Sequence, residues 1–138
     1  MVELSNLRAG LRGSVDLLVG AEHTAPHVGS GRVPVLATPV MINLIEAAAL
    51  AAVEHLLPSG HQSLGIHLDI RHFAATPVGM RVWASCELVR IDGRTLVFTA
   101  EAHDEKEPIG GGSHQRVVVD IARFDQRVQR KLSKVSPG

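Results

Sequence analysis

The segment from Val40 to Val53 is apolar except for Asn43 and Glu46, and it constrains the fold more than any other stretch of the chain. Thr38 reads as an N-cap and Pro39 suits the first helical position. The pattern predicts a helix from Val40 to about Leu57, stopped by Pro58-Ser59-Gly60. Its apolar residues run nearly all the way round, and a helix of that kind is covered on every side. No second long helix is predicted, so something else must wrap this one. The run is too short to span a bilayer and carries a carboxylate, so no membrane association is expected.

The remainder reads as strands separated by turn residues. Residues 12–19 form a first strand and residues 20–32 a loop rich in Gly, His, Pro and Ser. Residues 64–73 and 80–91 are strands, and Asp92-Gly93 is a hairpin turn into a strand over 95–103. Residues 104–113, with Pro108 and Gly110-Gly111-Gly112, are expected to be a loose connection before a last strand over 114–124. The polar, basic tail from 125 to 138 is expected to fray or form a short helix. Hairpin-linked strands imply an antiparallel sheet. Five such strands curled around one long apolar helix make an α+β hotdog fold, expected as a single domain over residues 1–138. The helix is too apolar to leave one side in water, which suggests a second subunit against it.

Composition narrows the function. Fourteen basic residues balance fourteen acidic ones, whereas a nucleic-acid binder normally shows a basic excess. With three Phe, one Trp and no Tyr, stacking platforms for single strands are not expected either. Cys86 is the single cysteine and cannot form an internal disulfide. The opening residues show no charged stretch leading into an apolar one. Both features point to the cytoplasm.

Glu46 stands out as a carboxylate in apolar surroundings, which costs several kcal/mol unless it is paired. Asn43 lies three residues earlier on roughly the same face. Such a Glu could equally reach solvent through a gap or pair with an Arg of another subunit. In the strand Ile66-His67-Leu68-Asp69-Ile70-Arg71-His72, alternation sets Ile66, Leu68, Ile70 and His72 on one face. That face must pack on the helix, so His72 points toward Glu46. Thr38 is accounted for as a cap, yet a helix start also offers unpaired N–H groups to a developing oxyanion. Glu46 lies about 12 Å further along the helix, long for a contact within one subunit. Two subunits packed helix to helix could bring one chain's Thr38 near the other's Glu46. His67 and Asp69 share a strand face but lack a third ligand, so no metal site is expected. His114 and the other histidines show no convincing spacing. Cys86 alternates with Val82, Ala84 and Leu88 and reads as a buried small hydrophobe.

These residues resemble the fluoroacetyl-CoA thioesterase group of the hotdog superfamily over nearly the full length. The matching stretches are Ala37-Thr38, Leu44-Ile45-Glu46, Ser63-Leu64-Gly65, and His72 before Ala74-Ala75-Thr76-Pro77 and Gly79. They continue through Asp92-Gly93-Arg94, Ala102-His103-Asp104, Ile109-Gly110, Gly112-Ser113-His114 with Arg116, and Phe124. The resemblance implies a hydrolytic site of Thr38, Glu46 and His72 between subunits of a homodimer, or of a dimer of dimers. Glu46 would be nucleophile or general base, His72 its acid–base partner, and Thr38 the residue that orients both Glu46 and the substrate. Gly65 and Arg116 match positions lining the acyl pocket. The substrate would be a short acyl thioester of coenzyme A, with no other cofactor. The fluoroacetate-resistance member has a lid Phe six residues before the Thr, where this chain has Arg32. That departure argues against specificity for a fluorinated acyl group.

Two rivals remain at this stage. A hotdog enoyl-CoA hydratase would use an Asp/His pair, but the helix offers Glu46 and no Asp. A non-catalytic acyl-CoA or small-ligand binding module would keep the fold without the turnover.

Overall fold

The computed structural model describes residues 3–133. Five strands, β1 (Arg12–Leu18), β2 (His61–His72), β3 (Arg81–Asp92), β4 (Thr95–Asp104) and β5 (Pro108–Asp120), form one antiparallel sheet. Their order across it is β1-β3-β4-β5-β2. The short helix α1 (Ala25–Val28) lies in the connection after β1, α2 (Thr38–Val53) precedes β2, and α3 (Ile121–Ser133) follows β5. The sheet with one long helix on its face is the hotdog fold.

α2 buries Met41, Ile45, Ala48, Ala49, Ala52 and Val53, a stripe at helical spacing. They pack on Val82, Ala84, Cys86 and Leu88 of β3 and on Leu96 and Phe98 of β4, all buried. At β1 the contact is closer still. A Cβ on Gly13 would collide with the backbone of Ala48, Ala51 and Ala52, so strand and helix meet main chain to main chain. The outward side of α2 is not covered within one chain: Asn43 and Ala51 are exposed. Counted with the tight turn Glu54–Leu56, the stretch Thr38–Leu56 is long and apolar enough to cross a membrane, unlike the shorter run seen in the sequence. Its inner stripe is packed in the protein core instead.

Three sequence expectations are corrected. α2 ends at Val53 rather than Leu57, because Glu54 turns its carboxylate onto Ser63 of β2. β5 begins at Pro108, and the three glycines lie inside the strand rather than in a loose connection. Their smallness is what the strand needs there: a Cβ on Gly110 would press on Met41, and one on Gly111 on the Ala100 carbonyl. Phe124 belongs to α3, not to a last strand.

Gly13→Ala should lower stability by about 1–3 kcal/mol or more, since the clashing atoms are main chain and cannot swing aside. Denaturant unfolding checks this, and an unchanged midpoint would refute the close approach of β1 to α2.

Candidate active site

A regular strand would set Gly65 and His72, seven residues apart, on opposite faces. β2 carries a bulge between Gly65 and His67, where the register slips from Gly65↔Arg116 to His67↔Gln115. The extra residue, Ile66, resets the alternation. Ser63 and Gly65 before the bulge, and His72 after it, therefore all turn toward α2.

The first half of the site is at the start of α2. Thr38 Oγ1 lies 2.7 Å from His72 Nδ1. The hydroxyl is available because Ala37, not Thr38, is the N-cap, and no side chain caps the helix. This corrects the capping role expected for Thr38. Within one chain, burial lowers the His72 pKa, partly offset by a hydrogen bond with the Ala74 backbone, which favours the neutral imidazole. Its Nε2 is buried without a hydrogen-bond partner. Arg32, Thr38 and His72 line one hollow of about 310 Å³.

The second half is two turns along α2. Glu46 Oε2 lies 3.7 Å from Arg116 Nη1, with the arginine side chain 6% and the glutamate side chain 36% exposed. Arg116 is tightly held. Its Nε donates to Ser63 Oγ at 2.8 Å and one Nη to the Ser63 carbonyl at 3.1 Å. Its other Nη is 3.1 Å from His114 Nε2. Ser63 is fixed in turn by Glu54, through its hydroxyl at 2.6 Å and its N–H at 2.9 Å. His114 Nδ1 sits 2.9 Å from the His67 carbonyl, so it carries the proton and leaves Nε2 to accept from Arg116. Burial lowers the His114 pKa, as does the Arg116 charge, while the His67 bond opposes them. Gly65 makes the space: a Cβ there would lie 2.5 Å from Glu46 Oε2 and 3.3 Å from His114.

The structure thus divides the expected residues into two groups. Thr38, His72 and Arg32 come together, and so do Glu46, Gly65 and Arg116. His72 meets Thr38, not Glu46 as its sequence position suggested. The two halves lie about 12 Å apart along the helix and about 20 Å along β2. Asn43 is exposed on α2 and, among the described residues, is hydrogen-bonded to neither half. Sequence reasoning passed over Glu54, Ser63 and His114 as a support for Arg116. The one available signal was that His114 and Arg116 share a face of β5. Cys86 is buried, donates its thiol to the Ile45 carbonyl, and has its pKa pushed up to about 12 by burial. It is no nucleophile.

The fluoroacetyl-CoA-specific thioesterase family matches residues 19–122. A fluoroacetyl-CoA thioesterase of Streptantibioticus cattleyicolor is 34% identical over 131 residues, covering 91% of this chain and 94% of that protein. A solved fluoroacetyl-CoA thioesterase structure superposes with a TM-score of 0.85 at 34% identity, over 91% of this chain and 97% of that one. A thioesterase superfamily member of Thermus thermophilus superposes with a TM-score of 0.86 at 26% identity, over 92% and 94% of the two chains. Sequence, fold and these likenesses agree: the chain is a hotdog thioester hydrolase and belongs to the fluoroacetyl-CoA-specific thioesterase family.

Proposed function

We propose that this thioesterase hydrolyses a short acyl-CoA in a site completed by two copies of the chain. The observation that carries this reading is the division of the trio, with Thr38–His72 at one end of β2 and Glu46–Arg116 at the other. β2 is an edge strand, and Ile66 and Leu68 on it are 54% and 40% exposed. A free apolar edge invites pairing with another strand. If two β2 edges pair antiparallel about a two-fold axis near Leu68, Gly65 of one chain lies opposite His72 of the partner subunit. Glu46 then meets the partner's Thr38 and the partner's His72, and two identical sites form.

In such a site the thioester carbonyl points at the amino end of α2, where the dipole favours an oxyanion. Glu46, oriented by Arg116, either takes a proton from the attacking water or attacks the carbonyl carbon itself to form a mixed anhydride that water then cleaves. The C–S bond breaks, the acid is released, and the proton given up by the water reaches the thiolate by way of His72, which accepts one proton as it gives one. The sum is thioester plus water giving acid plus thiol. Coenzyme A enters only as part of the substrate, and no metal or other cofactor is invoked.

The same fold could serve a non-catalytic acyl-CoA binder. The unpartnered Nε2 of His72 and its neutral imidazole favour turnover, because both suit a proton carrier.

His72→Ala and Glu46→Ala should each cut kcat/KM on acetyl-CoA by about 10²–10⁴-fold, followed by free-thiol detection. Full activity in either variant would refute the role. With Arg32 in place of an apolar lid, kcat/KM for fluoroacetyl-CoA should stay within about tenfold of that for acetyl-CoA, because one small substituent in a pocket supplies little more. A preference of several hundredfold would overturn that expectation.

A further inference from the structure

At the far end of the sheet from Thr38, a cavity of about 550 Å³ opens between the start of β2, the end of β5 and the first turns of α3. Arg94, Arg123 and Arg127 line it with His61, over an apolar floor that includes Val118 and Phe124. Ion pairs among the described residues engage Arg12, Arg81, Arg90 and Arg116, and none engages these three arginines. Two carboxylates also border the cavity. Asp120 already accepts the Arg123 N–H at 3.1 Å at the start of α3, and Glu3 lies on the other side. Exposed guanidinium groups beside an aromatic face are suited to phosphates next to a flat base. Phe124 is one of only three phenylalanines in a chain without tyrosine, and it stands 36% exposed here.

Position links this cavity to the catalytic residues. His61 pairs with Asp120, and Gly65 with Arg116, in the same β2–β5 ladder. Four residues of strand separate them, about 13 Å, within reach of an extended pantetheine arm. The family match ends at residue 122, so Arg123 and Arg127 lie beyond the matched segment.

We infer that this cavity holds the phosphorylated adenosine end of the coenzyme A thioester, with Arg94, Arg123 and Arg127 on its phosphates and Phe124 against the adenine. The inference rests on the proposed acyl-CoA reading for its substrate, but its test does not depend on turnover. Adenosine 3′,5′-bisphosphate, titrated by calorimetry into the full-length protein, should bind, and Arg123→Glu/Arg127→Glu should weaken binding about tenfold or more. Both residues are exposed on α3, and an unchanged melting temperature will show that the variant folds. No binding, or equal binding by variant and wild type, overturns the inference. In hydrolysis, the variant should raise KM for acetyl-CoA and leave acetyl-pantetheine, which lacks the nucleotide, unaffected. An equal loss on both thioesters would also overturn it. A wild-type protein that binds the bisphosphate but hydrolyses neither thioester would instead sink the proposed function and leave this subsite standing.

Discussion

Glu46 stands on the core helix with its side chain 36% exposed, and a buried cation is fixed beside it. Arg116 supplies that cation, and most of the polar residues around it exist in the structure to hold it. Ser63 takes two of its N–H groups, His114 a third, and Glu54 locks Ser63. The guanidinium is buried, and an arginine keeps its charge there. Burial lowers its pKa, while Glu54 and Glu46 oppose that shift. Glu46 reaches it across 3.7 Å, a distance that leaves the carboxylate oriented but not locked. In the proposed role of base or nucleophile Glu46 needs that freedom, since a tight ion pair would hold its lone pairs.

The bulge in β2 is the second structural requirement. It allows one strand to present Gly65 and His72, an odd number of residues apart, to the same helix. In the middle of this edge strand, Ile66 and Leu68 are exposed in a single chain. The two halves of the candidate site lie along the same free edge, and the proposed pairing of two β2 edges would cover that edge and join the halves.

Much of this was legible in the residues. The apolar run with Glu46 in it specifies a core helix, and the Asp92-Gly93 turn specifies the β3–β4 hairpin. Alternation from Leu68 to His72 puts the imidazole on the helix side. Alternation gives the face of a strand but not the turn of the helix that it crosses, so the sequence led His72 to Glu46 when its neighbour is Thr38. Thr38 looked like a cap because Thr before Pro is a common helix start, but the chain enters the helix one residue earlier. Gly110-Gly111-Gly112 looked like a turn because nothing local reports that Met41 and the Ala100 carbonyl press on that strand. Ser63, Glu54 and His114 come from three elements, and only the folded chain brings them to Arg116.

The sharpest test of a site built from two chains mixes two inactive proteins. Glu46→Ala and His72→Ala variants are unfolded together, refolded at equal concentration, and assayed for thioester hydrolysis. If each site takes Glu46 from one chain and His72 from the other, every mixed dimer carries one intact site, and about a quarter of wild-type activity returns for random pairing of subunits. If both groups act within one chain, no mixed pair contains an intact site, and the mixture stays as inactive as its components.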